Sequence, residues 1–314
     1  MTKLKKLQNR IKNFAYDTKD FGFFIASTNF FWPFINKLPR FLGSKIMEFK
    51  HLKIISKLKS NHLKTIEHYI KLSANKKQEE QTSNPNFVIW ICWLQGEDQM
   101  PKIPKICYDN ITKYSNGIPI EFITKKNYSS FINIPEYIVE KYNNQSINDA
   151  NFTDIIRTFL LAEYGGCWID STVFISKEIS IEYFKFPFYS IKTIKTGYYV
   201  TENKWSNFFL ISSKNSILFK FVKDIFLEYF LLENRPLDYF LMDYIIRLGY
   251  ENIEEIKRSI DNFPFNNPNV HKLSPQIELG LVKENYHEMA KNTSIFKLSW
   301  RIKKNIEMFE KTVN

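Results

Sequence analysis

The stretch Asn151–Val173, NFTDIIRTFLLAEYGGCWIDSTV, restricts the possible folds of this chain more than any other part of it. Phe152, Ile155, Ile156, Phe159, Leu160 and Tyr164 recur at helical spacing and predict one apolar helix face over Asn151–Tyr164. Gly165-Gly166, the one adjacent glycine pair in the sequence, then predicts a left-handed cap, because glycine takes positive φ without steric penalty. Cys167–Ile175 (CWIDSTVFI) follows directly and reads as a buried strand. Upstream, Phe87–Leu94 (FVIWICWL) is a continuous apolar run, the pattern of a buried strand with parallel neighbours. Another strand is expected at Ile118–Thr124, after a helix near Ile106–Tyr114. Weaker signals place strands near Phe186–Lys192 and Asn207–Ile211, and helices over Ser216–Leu232 and Leu237–Leu248. Alternation of this kind predicts the α/β fold class.

Charge divides the chain in two. Its formal net charge is +11, and residues 1–80 carry 17 Lys and Arg against 6 Asp and Glu, while residues 81–314 carry 27 of each. The polar run SANKKQEEQTSNPN over Ser73–Asn86 is the natural boundary. Residues 1–82 are therefore expected to form a basic, mainly helical N-terminal extension, and residues 83–314 an electroneutral body. Within the extension, Ile46, Leu52, Ile55, Leu58, Leu63, Ile66 and Ile70 fall near a helical period over Ser44–Leu72, with Lys45, Lys50, Lys53, Lys57, Lys59 and Lys64 between them. A solvated helix face and an anionic membrane surface both account for those lysines. Nucleic acid is not expected as a partner, since no recognised motif supports it and the body is neutral. The apolar stretch Phe21–Ile35 contains Asn29 and Pro33 and falls short of the roughly 20 residues needed to span a bilayer. Asp17 and Asp20 precede it, which argues against a signal peptide.

Several chemistries are excluded. No G-x-G-x-x-G or G-x-x-x-x-G-K-[ST] loop occurs, nor H-E-x-x-H, nor G-x-S-x-G. Cys92, Cys107 and Cys167 form no C-x-x-C pair, and a reduced intracellular compartment is the simplest expectation.

What chemistry remains gathers around the helix–glycine–strand segment. Asp154 and Arg157 are three residues apart and share a helix face, which is compatible with a surface ion pair alone. Asp170 interrupts a run expected to be buried, where a lone carboxylate is costly unless paired or metal-bound. The glycine turn would let the three converge, where a carboxylate suits a hard divalent cation and an arginine a phosphate. Asp243, within DYFLMDY, is either an auxiliary carboxylate or a buried helix residue paired with Lys or Arg; Asp238 is expected to cap that helix.

Asp154-x-x-Arg157, Leu160-Leu161, Tyr164-Gly165-Gly166 and Trp168-x-Asp170 together resemble sugar-transferring enzymes with an Asp-x-Asp motif. More narrowly, the chain resembles bacterial capsular polysaccharide synthesis proteins related to glycosyltransferase family 32. The resemblance extends to Trp90-x-x-Trp93-x-Gln95-Gly96, Ile123-Thr124, Asn127-Tyr128, Trp205-Ser206-Asn207, Asp238-Tyr239-Phe240-x-x-Asp243 and Lys297-Leu298-Ser299-Trp300. It implies a GT-A type nucleotide-sugar-binding domain with a mixed central sheet. It implies that Trp93 packs on the nucleobase, that Asp154, Arg157 and Asn207 bind the UDP- or GDP-sugar donor, and that Ser299 and Trp300 close over its phosphates. Asp170, Arg157 and Asp243 are the implied catalytic set, and Asp170 the ligand of Mn²⁺ or Mg²⁺. Thr172 stands where the second Asp of the motif is expected, offering the ion a neutral oxygen. The resemblance further implies transfer, with retention, to a lipid-linked saccharide acceptor. An enzyme in the cytoplasm would then be held peripherally at the anionic inner membrane face by residues 1–80. A catalytically inactive nucleotide- or glycan-binding relative and a basic membrane-associated binding protein are the alternatives.

Overall fold

The computed structural model describes residues 3–35, 37–75, 86–194 and 199–313. The expected boundary near residue 82 lies outside the described residues. The N-terminal quarter is helical: α1 (Lys3–Phe21), α2 (Phe23–Ile35), α3 (Arg40–Asn61) and α4 (Leu63–Asn75). The chain then alternates through β1 (Ile89–Cys92), α5 (Lys102–Lys113), β2 (Ile120–Ile123), α6 (Glu136–Asn143), α7 (Asp149–Glu163) and β3 (Gly166–Ile169). After β4 (Val173–Ile175), β5 (Phe188–Ser190) and β6 (Phe209–Ser212) come α8 (Ile217–Leu232), α9 (Leu241–Asn252) and α10 (Glu254–Asp261). The C-terminal part holds α11 (Leu273–Leu279), α12 (Val282–Ala290), β7 (Ile295–Lys297) and α13 (Ile306–Val313).

The fold is α/β around a mixed five-stranded sheet of order β2-β1-β3-β6-β5. β1 runs parallel to β2 and β3, whereas β6 is antiparallel to both β3 and β5. Every residue of β1, β3, β5 and β6 is buried, which explains their mainly apolar sequences. The glycine pair behaves as its position predicts. Gly165 and Gly166 have φ of +69° and +93°. A Cβ on Gly165 would lie 2.6 Å from the Lys214 backbone nitrogen, and one on Gly166 2.8 Å from the Val88 carbonyl oxygen. Only glycine meets both constraints, and so α7 can end directly against the strand that follows.

Two expectations about element boundaries are corrected. Cys167–Ile175 is not one strand: β3 stops at Ile169, Asp170–Thr172 turns, and β4 leaves the main sheet to pair with β7. Ser44–Leu72 is not one helix either, because the chain breaks at His62 between α3 and α4. The His62 side chain is buried there, with Nδ1 2.9 Å from Glu228 on α8. Each helix keeps its own phase, so Met47, Ile54, Leu58, Ile66 and Tyr69 face inward and Leu52, Leu63 and Ile70 face solvent. Ile54, Ile55, Leu58, Ile66 and Tyr69 belong to the same hydrophobic core as the sheet, with α3 against α9 and α4 against α8. A smaller core of Phe174, Leu273, Ile277, Phe296 and Phe309 holds the C-terminal helices around β4 and β7.

Candidate functional site

A cleft of about 1910 Å³ opens at the carboxyl ends of β1 and β3, the usual ligand position on a sheet with parallel strands. It is roughly twice the upper end of ordinary small-molecule pockets. Trp93 follows the end of β1, Asp170 follows the end of β3, and Asn207 precedes the antiparallel β6, so strand direction brings all three to one edge. The opposite wall comes from the N-terminal helices, through Tyr16, Asp17, Trp32 and Lys50.

An ionic cluster forms the floor. Arg157, buried on α7, places Nη2 3.1 Å from Asp154 and 3.4 Å from Asp170, and Nη1 donates to the Asn207 carbonyl. The Asp154–Arg157 pair is therefore an interior feature and not the surface ion pair that its spacing also allows. The guanidinium lies over the Trp168 ring, whose Nε1 donates to Asp170 Oδ1 at 2.9 Å. Lys297, at the end of β7, donates from Nζ to Asp170 Oδ2 at 2.6 Å and to Thr172 Oγ1 at 2.7 Å.

These neighbours separate the carboxylates. Burial alone would raise Asp170, but Lys297 and Arg157 bring it down to about 2. Burial pushes Asp154 up to about 6 against the opposing pull of Arg157. It pushes Asp243 up to about 7, with Trp205 pulling the other way through an Nε1–H···Oδ1 hydrogen bond of 2.8 Å. Asp243 is buried on α9 and lines the cleft, and its partner is an indole rather than the Lys or Arg that a structural role predicts. Asp238 is not the cap expected of it: Phe240 occupies the N-cap of α9, and Asp238 accepts from Phe240 N just before the helix while its other oxygen pairs with Lys50.

Trp93, Asp154, Arg157, Asp170, Thr172, Asn207, Asp243 and Trp300 all line this one cleft. Ser299 does not; its hydroxyl accepts from Arg301 N at 3.2 Å, while Trp300 is 52% exposed at the rim. Among the described residues, Trp93 Nε1, Asn207 Oδ1 and Arg157 Nε are buried polar atoms without a hydrogen-bond partner. Such atoms are rare in finished interiors and common where a ligand completes the bonding.

A resident divalent cation is a poor match to these side chains. Magnesium takes six ligands and manganese likewise favours octahedral oxygen sites, whereas Asp170 and Thr172 supply one carboxylate and one hydroxyl. Both oxygens already accept from the Lys297 ammonium. Among the described residues no three His, Cys, Asp or Glu side chains converge to hold a metal. This donor set does not fit a divalent ion held by the protein alone.

Sequence reasoning missed Lys297 as a site residue. The only signal for it was its place in Lys297-Leu298-Ser299-Trp300, because the β4–β7 pairing that delivers it joins positions more than a hundred residues apart. It missed the N-terminal wall as well, for which no local signal exists.

No curated protein and no solved structure matches the chain. A family model described as capsular polysaccharide synthesis protein matches residues 36–313, a span that contains every member of the ionic cluster. The chain belongs to the capsular polysaccharide synthesis protein family.

Proposed function

We propose that this protein is a glycosyltransferase of the GT-A type, related to glycosyltransferase family 32. It would move a sugar from a UDP- or GDP-linked donor to a lipid-linked saccharide in capsular or other surface polysaccharide biosynthesis, with retention at the anomeric carbon. The observation that carries this reading is the convergence of Asp154, Arg157 and Asp170 beneath one large cleft, with Trp93 and Asn207 on the same strand edge.

Each side chain has a task in that reaction. Trp93 offers an aromatic surface and an unpaired indole N–H to the base. Asp154 fixes Arg157 and presents a carboxylate to the donor sugar hydroxyls. Arg157 faces the diphosphate, where negative charge grows as the bond between the anomeric carbon and the phosphate oxygen breaks. Asp243, held near 7, can keep or release a proton close to neutral pH. Trp300, exposed at the rim, would close over the donor.

The N-terminal helices give the reading its location. Among the described residues no helix is long and apolar enough to cross a membrane. Phe23, Phe31, Phe34, Phe41 and Leu42 are nonetheless exposed, beside the exposed Lys37, Arg40 and Lys45. Aromatic side chains rimmed by cations suit a headgroup layer of anionic lipid. The same helices bring Tyr16 and Trp32 to the cleft, so a lipid-linked acceptor would meet the donor across this wall, at the cytoplasmic face of the membrane.

Hydrolysis and transfer assays with UDP- and GDP-sugars test the proposal. Turnover lost in Asp170→Ala supports it. Turnover unchanged in that variant removes the site assignment, and nucleotide binding without turnover by the unaltered protein would identify an inactive relative.

A further inference from the structure

The misfit between the cleft floor and a divalent ion has a direct structural reading. We propose that Lys297 is the cation that binds the donor diphosphate, built into the chain between Asp170 and Thr172. The inference rests on the nucleotide-sugar reading of the cleft and adds to it the means of charge neutralisation.

Backbone geometry fixes the lysine in place. Lys297 pairs with Val173 in the β4–β7 ladder, its own N–H donates to Val270 O at 2.8 Å, and Leu298 N donates to Thr172 O at 2.8 Å. The ammonium is thus brought to the turn that carries Asp170 and Thr172, and not to some other face. An ammonium has three N–H donors. Asp170 and Thr172 take two of them, and the side chain remains 24% exposed on the cleft. The third is available to a ligand. Arg157 is more committed, since its two terminal nitrogens already serve Asp154, Asp170 and the Asn207 carbonyl.

The charges are consistent with this role. Asp154 and Asp170 face Arg157 and Lys297, two carboxylates against two cations, so the charges of these four side chains balance. A diphosphate adds negative charge that only the cations can meet, and Lys297 is the more accessible of the two, 24% exposed against 7% for Arg157. In the transfer step the bond between the anomeric carbon and the phosphate oxygen breaks, and its electron pair goes to the diphosphate. The acceptor oxygen forms the new bond to that carbon, and its proton ends on the diphosphate product. Lys297 stays an ammonium throughout, hydrogen-bonded to the oxygen that departs.

Calorimetric titration of the full chain with inorganic diphosphate, UDP and GDP decides the matter, in EDTA and in excess Mn²⁺. The expected result is binding that EDTA leaves within about 2-fold and that Lys297→Met weakens about 10- to 100-fold, the range for a lost charge-assisted hydrogen bond. Lys297→Arg, which keeps the charge, should retain most of it, and circular dichroism melting checks that each variant folds. Lys297→Glu is expected to reverse the metal requirement, since a second carboxylate would then face Asp170 and Thr172 and Mn²⁺ would become necessary. Binding by the unaltered protein that vanishes in EDTA and returns with Mn²⁺ overturns the inference. So does an unchanged affinity in Lys297→Met, or the absence of any binding by inorganic diphosphate. Should inorganic diphosphate bind through Lys297 while UDP and GDP bind no more tightly, the lysine site stands and the nucleotide-donor reading fails.

Discussion

Two lysine–aspartate pairs line the same cleft and differ in almost nothing but their access to it. Lys50 and Asp238 meet at 2.5 Å with side chains 4% and 6% exposed, and Lys297 and Asp170 meet at 2.6 Å with both 24% exposed. Lys50 also donates to Asn29 Oδ1 at 2.6 Å, and the second oxygen of Asp238 accepts from Phe240 N. This pair is closed off from solvent and ties the N-terminal helices to the start of α9. The other keeps one N–H toward the cleft. Identical chemistry therefore separates into a clasp and a site by solvent access.

The clasp should show the largest effect. Removing one member of a buried pair leaves an uncompensated charge, so Lys50→Met is expected to destabilise by about 3–5 kcal/mol in urea unfolding. Adding Asp238→Leu should restore most of that loss, because an apolar pair of similar volume carries no stranded charge. If the double variant is no better than the single one, the buried pair is not what holds the two regions together. The more accessible pair should cost less stability and more activity. Asp170→Ala is expected to cost about 2 kcal/mol near neutral pH, because a carboxyl brought down from 3.8 to about 2 favours the folded state by that order, and to lower sugar transfer about 100-fold. A stability loss as large as that of Lys50→Met would place Asp170 among the structural residues.

Asp243 tests the cleft wall between the two pairs. Its carboxyl rises from 3.8 to about 7 on folding, chiefly through burial. The folded chain then binds the extra proton between those values, and stability falls as pH climbs from about 4 to about 7, levelling off above that. Asp243→Asn stays neutral and still offers an oxygen to Trp205 Nε1. Its stability relative to the unaltered protein should therefore improve from pH 5 to pH 8, by on the order of 2 kcal/mol. Equal differences at the two pH values would mean that the carboxyl ionises normally.

The same contrast explains what the sequence could disclose. All five strands of the main sheet overlap apolar runs visible in the sequence, and the apolar face of α7 with its glycine pair is a local signal. Asp154, Arg157 and Asp170 were legible because they sit on that one local unit. Lys50 was not, since a lysine among lysines looks solvated until its partner 188 residues away is known. Lys297 reaches Asp170 across 127 residues, through a strand pairing that no periodicity announces. The break at His62 was hidden as well, because no glycine or proline marks it and its cause is a buried contact to α8. Local chemistry was readable; partnership across the chain was not.

The smallest change in stability should come from the outer side of the N-terminal wall, and there the comparison is sharpest. Phe41 is 63% exposed, so replacing it by Ser gives up only the smaller, buried part of its ring. The Phe41→Ser variant should lose only about 1 kcal/mol of stability, the order expected for roughly 50 Å² of apolar burial. Sedimentation with vesicles containing anionic lipid should nevertheless show several-fold weaker binding, since each aromatic contributes apolar area to the interface. Transfer to a soluble acceptor should not change, whereas transfer to a lipid-linked one should fall with the binding. Vesicle binding that persists would assign the exposed aromatics to some other contact. Loss of both kinds of transfer would mean that the wall acts on the cleft itself, through Tyr16 and Trp32, rather than by holding the enzyme at a surface.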